Sequence, residues 1–541
     1  MTTFKASKAW WVLVIAGFLV GSASFSIQGC TDLDEEIFSS VTPDNFFQTD
    51  EEVLAAVAPV YAQLRNMLDS YYNLTEHSSD EMLVPVRGTD WDDAGRWRAM
   101  HKHTWDRFLV DFNDAWVGAF TGVARANTVI EAIENAQTDI SNEERLLAEL
   151  RFLRAFYYFQ LLDFFGNVPI VEDAVLNPDD PPRTAPRADV FAYIENELLF
   201  AAGALPPQST WGAANFGRAT SGAANALLAR LYLNAEIMAG TPTASGIDKA
   251  PGRWGDAAAK ADLVINSGEY DLTDDYLDNF RIDNHGSPEM IFVTPTIAKG
   301  GLGLNFVMRT LHYNQIPQTP WNGFIVLADV FNQFDPDDRR SDVFLVGQMY
   351  AEPNQGCIGK ECFSDVNSGP LEDRQGNPLA FTPGLFTPEG TPVTSGEPIN
   401  INETSGVRVV KWEIDPSRVG GDNGNDYAWL RLAEMYLIKA EAAFRLGNNQ
   451  EALTNLNVLR DRAFGNDPGK RLSAVTADVI LQERQFELLW ESVRRQDLVR
   501  FDRFTTRQWE FKTNTEPHHN VFPIPQVQVD ANPNLTQNPG Y

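Results

Sequence analysis

Glu149-Leu150-Arg151-Phe152-Leu153-Arg154-Ala155-Phe156-Tyr157-Tyr158-Phe159, closing at Phe165-Gly166-Asn167-Val168-Pro169, is the stretch that decides the fold. Leu146, Leu150, Leu153, Tyr157 and Leu161 recur at three- and four-residue steps, the spacing of one face of an α-helix. The Gly-Asn-Val-Pro exit is a stop signal, because proline cannot continue a helix and glycine readily turns out of one. The spacing predicts a helix over 141–165, paired with another over 113–136. The same period runs through 50–68, at Val53, Val57, Val60, Tyr61, Leu64 and Leu68. Further helices are predicted over 187–204, 217–239, 254–267, 427–446, 449–463 and 476–500. Ala223, Ala224 and Ala229 leave room for close crossings, and such pairs have the flavour of tetratricopeptide-type repeats.

Between the helical parts the pattern changes. Residues 268–426 are rich in Gly, Pro, Asn and Thr, with brief apolar runs such as Met290-Ile291-Phe292-Val293 and Val407-Arg408-Val409-Val410-Lys411-Trp412. These read as loops and short strands. The expected fold is mostly α: a helical scaffold over about 50–267 and 427–500, with the loop-rich region 268–426 packed on it. A loop-built insertion on a rigid scaffold is where recognition is sought. The final stretch, 517–541, contains Phe522-Pro523-Ile524-Pro525 and Asn534-Leu535-Thr536-Gln537-Asn538-Pro539-Gly540-Tyr541. Its prolines predict an extended course without helix, and its apolar side chains predict docking on the body rather than fraying.

The first residues read as a targeting segment. Lys5 and Lys8 precede an apolar run from Trp10 to Val20, followed by Ile27-Gln28-Gly29-Cys30. This is a secretory signal of the lipoprotein type over 1–29, with Cys30 the residue that would carry lipid. The alternative, an uncleaved membrane anchor, is weakened by Ser22, Ser24, Ser26 and Gln28, which dilute the run. The acidic stretch Asp32-Leu33-Asp34-Glu35-Glu36 is then a surface-export signal or a solvated linker. Net charge is −31, and removing the signal takes away Lys5 and Lys8 but no acid. So negative a surface repels nucleic-acid phosphates. Cys357 and Cys362 are the other cysteines, and their spacing outside the cytoplasm suggests a small loop disulfide. No phosphate loop, nucleophile elbow or zinc signature is present, so neither a cofactor nor a catalytic group is assigned.

Several blocks, in order, resemble the SusD/RagB family of outer-membrane nutrient-binding lipoproteins. They are Arg125-Ala126-Asn127-Thr128-Val129-Ile130; Glu149 to Phe159 with its Phe165–Pro169 exit; Thr220 to Leu233; and Tyr427 to Ala442 with Leu430-Arg431-Leu432-Ala433-Glu434-Met435-Tyr436-Leu437. Glu483-Arg484-Gln485, Arg494-Arg495 with Asp497-Leu498, and the Pro523-Ile524-Pro525 to Tyr541 ending complete the set. The resemblance implies a SusD-like fold in one domain over 30–541, anchored by lipid at Cys30 to the outer membrane and facing outward. It implies a glycan or oligosaccharide ligand, with peptide the alternative cargo, and a SusC-like, TonB-dependent barrel as transport partner. It implies binding without bond chemistry.

Two stretches mix aromatic rings with hydrogen-bonding groups, as a sugar site requires. The first runs from Asp80 to Trp105 and holds Trp91, Trp97, Arg96, Asp90, His101 and His103. Three tryptophans in so polar a stretch are hard to bury together, which favours exposure, although they could instead pin the loop to the scaffold. The second holds His312, Tyr313, Trp321 and Asn322. The ligand-binding candidates are therefore Trp321, Asn322, Tyr313, His312, Trp91, Trp97, Arg96 and Asp80. His101 and His103 lack a third metal ligand. The acidic row Glu483, Glu487 and Glu491 reads as a salt-bridged helix face, with Glu491 pairing Arg495, or less favourably as an acid–base pair of a surface glycoside hydrolase. Asp426 is read as a helix cap.

Overall fold

Thr49 starts the first helix with a capping box: its hydroxyl accepts from the Glu52 N–H while the Glu52 carboxylate accepts from the Thr49 N–H. The computed structural model describes residues 49–136, 139–352 and 355–541. The signal over 1–29, Cys30 and the acidic stretch 32–36 lie outside the described residues. From Thr49 the helices follow as α1 (Asp50–His77), α2 (Val110–Glu134), α3 (Glu143–Phe165), α4 (Arg187–Ala204), α5 (Ser221–Leu233) and α6 (Trp254–Ile265). Then come α7 (Leu432–Arg445), α8 (Asn449–Ala463), α9 (Ala477–Leu488) and α10 (Arg494–Arg500). Each of α1 to α8 packs on the next, including α6 on α7 across the long insertion between them. α10 returns to α1. The helix α3 ends where its exit dictates, at Gly166 with φ 67°. Among the described residues no helix is long and apolar enough to cross a membrane.

The insertion is built from loops and strand fragments. Ahead of α6, β1 (Thr241–Thr243) and β2 (Gly246–Asp248) form a small hairpin, β2 lying against Pro517–Asn520. β3 (Met290–Thr294) pairs antiparallel with β8 (Tyr427–Arg431), Met290 facing Arg431 and Thr294 facing Tyr427. β4 (Phe344–Leu345) pairs β7 (Arg408–Val409), and β5 (Gly347–Gln348) pairs β6 (Ala380–Phe381). Leu345 of β4 and Phe381 of β6 share a core with Val307, Met308, Leu311, Ile316 and Ile414, which also includes Cys357 and Cys362. Those two cysteines are joined in a disulfide with a Cα–Cα distance of 5.3 Å.

Four sequence expectations are corrected. Residues 427–431 are strand, not the first turn of α7, because β3 supplies a ladder that local periodicity cannot reveal. Asp426 accordingly caps nothing; its carboxylate accepts from the Thr296 N–H at 2.7 Å. The helix expected over 476–500 breaks between α9 and α10, where Trp490 and Ser492 take φ of 61° and 62°. The break lets the Trp490 N–H reach Glu81 and the Ser492 N–H reach Glu76. The acidic row is salt-bridged, but it is enclosed rather than exposed. Glu483, Glu487 and Glu491 are buried, and Arg460 and Arg340, Arg462 and Arg431, and Arg431 and Lys411 engage them in turn. Glu491 does not pair Arg495, which bonds Asp163 at 3.0 Å instead. Carboxylates so engaged and enclosed offer no accessible acid–base pair.

The tail docks as its apolar residues require, but it is not extended throughout: Pro525 seeds a short helix, Gln526–Ala531. Phe522 is fully buried, and its N–H donates to Phe164 O at 2.7 Å. The Asn538 amide bridges Phe165 O and Phe522 O at 2.8 and 2.7 Å.

Candidate functional site

The chain leaves α1 through a loop that becomes the short helix Arg96–Lys102, and this loop meets the Trp321 loop of the insertion. Trp91 stands at a backbone φ of 65°, and its Nε1–H donates to Trp321 O at 2.6 Å. The Trp91 ring lies 5.6 Å from Trp97 and 5.4 Å from Phe324. It also lies against Gly323, where an added Cβ would come within 2.3 Å of the indole. The glycine is thus what lets the two loops close together. Gly323→Ala is expected to displace the Trp91 indole and cost about 1–3 kcal/mol, the usual range for overpacking. Thermal unfolding and tryptophan emission of the variant check this; an unchanged spectrum and midpoint would contradict the packing.

Trp321 is 42% exposed and presents its indole to solvent. Asn322 is fully buried beneath it at φ 52°, accepting from Arg408 Nη2 at 2.6 Å and donating to Glu403 O at 3.1 Å. Tyr313 is half-buried, and its hydroxyl donates to Asp90 Oδ2 at 2.5 Å. The Arg374 guanidinium lies 3.9 Å over the Tyr313 ring and ion-pairs with Glu403. His312 completes the support. Its Nδ1 accepts from the Asn314 N–H at 3.1 Å, so the proton sits on Nε2, which donates to Glu403 at 3.0 Å. Burial holds His312 below its usual range against the pull of Glu403. Burial alone would raise Glu403, but the hydrogen bonds from His312 and Arg374 outweigh it and bring the carboxyl down to about 2.

The eight candidates therefore separate. Trp321, Tyr313 and Trp91 lie on loops joined by the Trp91 bond to Trp321 O and the Tyr313 bond to Asp90. His312 and Asn322 serve there only from below, as buried props, and are not surface contacts. Trp97 is 3% exposed and Trp105 is 6%, so the expectation that the three tryptophans stay out of the core fails for two of them. His77 and Phe324 close over the Trp97 ring, and its Nε1–H satisfies Asp93. Arg96 covers Trp97 at 4.1 Å. Asp80 is not at the face: it is 2% exposed and held by Arg494 at 2.7 and 2.9 Å and by Arg507 at 3.0 Å. The imidazole nitrogens of His101 bond two backbone carbonyls, and His103 bonds Ser78 O. Among the described residues no cluster of metal-ligating groups is present. Arg374 and Glu403 had no local signal in the sequence, since only folding brings their loops to Tyr313.

The face thus joins one bare indole, a tyrosine–arginine stack and the free edges of Asp90 and Arg374. Flat apolar surface beside fixed charged hydrogen-bonding groups is the chemistry that holds a polyhydroxylated ring. A helical scaffold with a loop-built recognition face defines a binding protein class.

Comparison with known proteins agrees. Residues 389–541 match the model of the SusD family, and residues 33–233 match that of a family described as starch-binding and associating with the outer membrane. Both matches, one toward each end of the chain, support the SusD/RagB family. It is 29% identical over 435 residues to the starch-binding protein SusD of Bacteroides thetaiotaomicron, covering 73% of each chain. It is 28% identical to a SusD-like protein of Bacteroides ovatus, covering 93% of this chain and 84% of the relative. The fold superposes on surface glycan-binding protein A from Bacteroides fluxus with a TM-score of 0.69 at 22% identity, over 91% of this chain and 100% of the other. The corresponding Bacteroides thetaiotaomicron protein, solved with laminarihexaose, gives a TM-score of 0.66 at 20% identity, over 91% and 100%.

Proposed function

We propose that this chain is a non-enzymatic carbohydrate-binding lipoprotein of the outer membrane, tethered through Cys30 and facing outward, which hands a glycan or oligosaccharide to a SusC-like TonB-dependent barrel. The observation that carries the binding step is the exposed Trp321 indole beside the Tyr313–Arg374 stack. Starch and laminarihexaose in the names of similar proteins support a glucan as the first ligand to try. The signal and lipobox residues support the tether. The helical scaffold has no part in the contact except to hold both loops still.

Tryptophan emission, followed while malto-oligosaccharides, laminari-oligosaccharides and oligopeptides are added, tests this. A saturable change with one glucan series is the expected result, and Trp321→Ala is expected to weaken it about tenfold to thirtyfold, as loss of a central aromatic anchor does. Binding of peptides alone would sink the carbohydrate reading. Undiminished glycan affinity in Trp321→Ala would sink the site.

A further inference from the structure

A second depression opens where α9 and α10 meet residues 503–507, with a volume of about 490 Å³. That is the size of a small-molecule pocket, but its chemistry differs from the Trp321 face. No aromatic ring lines it; its charged wall is Arg494, Arg503 and Arg507 with Asp478, set among glutamines and Thr506. The charges there do not balance. Arg494 bonds both oxygens of Asp80 at 2.7 and 2.9 Å, and Arg507 reaches the same carboxylate at 3.0 Å. Two guanidinium groups therefore share one carboxylate. Glu81 stands 3.7 Å from Arg494, its carboxyl pushed up by burial and the neighbouring Glu76. Arg503 pairs with Asp478 at 3.2 Å, both of them exposed, a contact that solvent keeps weak. The remaining observation is independent of charge. Gln485 is 1% exposed, and its Nε2 has no hydrogen-bond partner. A buried amide donor without an acceptor is costly, so the wall of the cleft is not fully satisfied by the chain's own groups.

We propose that this cleft is a second ligand site, taking the carboxylate or sulfate group of an acidic sugar. The oxyanion lies against the guanidinium groups of half-buried Arg507 and exposed Arg503. Guanidinium forks match both oxyanions bidentately. The cleft is far larger than a bare oxyanion, and Gln482 and Thr506 offer the amide and hydroxyl groups that sugar hydroxyls pair with. In a chain of net charge −31, a cleft lined by three arginines and one aspartate is a local exception.

Isothermal titration of the full chain at constant ionic strength with sodium glucuronate, glucose 6-sulfate, glucose and sodium sulfate tests the proposal. Glucuronate or glucose 6-sulfate is expected to bind saturably, at least tenfold tighter than glucose or sodium sulfate; which of the two binds tells carboxylate from sulfate ester. Arg507→Gln is expected to lower that affinity tenfold or more. Should releasing Asp80 unfold that variant, Arg503→Gln, at an exposed position, carries the same expectation. No saturable binding by either acidic sugar, equal binding by sodium sulfate, or affinity unaffected by the substitutions would overturn it.

Discussion

Arg431→Leu is expected to lower the unfolding free energy by about 3–5 kcal/mol, the cost of removing one partner from a buried ion network. Arg431 ends β8 and is 2% exposed. Its Nε donates to Glu491 at 2.6 Å, Nη1 to Glu487 at 2.6 Å, and Nη2 to Glu487 O at 2.6 Å, with Glu289 at 3.3 Å. The substitution leaves these carboxylates enclosed with only Arg462, Arg340 and Lys411 to offset them. It is the orphaned charge, more than the lost attraction, that destabilises. The same network sets acid sensitivity. Burial opposes ionisation of Glu487 and Glu491, but for Glu487 Arg462 and Arg431, and for Glu491 Arg431 and Lys411, outweigh it and hold both carboxyls below the usual range. Groups depressed in the folded state stabilise fully above their unfolded value of roughly 4.3 and lose that contribution as pH falls toward the folded value. Urea unfolding at pH 7 and at pH 4 checks both points. The parent is expected to weaken steeply below about pH 4.3 and the variant less steeply. A loss under about 1 kcal/mol at pH 7 would mean the network is ordinary surface pairing.

That network also marks where sequence reading stops. α4 and α8 fall on their expected residues, 187–204 and 449–463, because their period and their stop signals are local. The Phe522 and Leu535 docking was likewise legible, since apolar side chains in a proline-rich tail have no other use. What was not legible depends on partners far along the chain. β8 is strand only because β3 lies beside it. Glu483, Glu487 and Glu491 have the spacing of a solvated face, and only Arg340, Arg431 and Arg462, from three other elements, make their burial tolerable. At the candidate face, composition pointed to two loops that the fold joins, but not to which of their side chains stay exposed. Trp321 and Trp97 are equally plausible in the sequence, yet His77 and Phe324 close over one and leave the other bare. His312 and Asn322 have the chemistry of ligand contacts and act instead as supports, because Glu403 and Arg408 satisfy them from beneath.

Phe522→Ala, in the docked tail, is expected to cost about 3–5 kcal/mol, as truncation of a core phenylalanine does. The ring lies 4.9 Å from Phe112, 5.1 Å from Trp105 and 5.6 Å from Phe164, with the Arg495 guanidinium 4.2 Å over its face. Arg495 meanwhile bonds Asp163 and Asn520 O, so a cavity there loosens an ion pair as well as apolar contacts. The last residues hold the ring in place: Asn538 bridges Phe165 O and Phe522 O, Gln537 bonds both the N–H and the carbonyl of Ile524, and the Tyr541 hydroxyl donates to Val521 O. Ending the chain at Pro533 removes all of these and leaves the Trp105 Nε1–H without its Tyr541 partner, so truncation is expected to destabilise to a similar degree although no core ring is cut. Val527→Ala, at a 56% exposed position of the same tail, is expected to stay within about 0.5 kcal/mol of the parent. Urea midpoints of the three variants, followed by tryptophan emission, separate a docked tail from a frayed one. If truncation at Pro533 left the midpoint where Val527→Ala leaves it, the tail would be an appendage, and the helices α2 and α3 against which it lies would be stable without it.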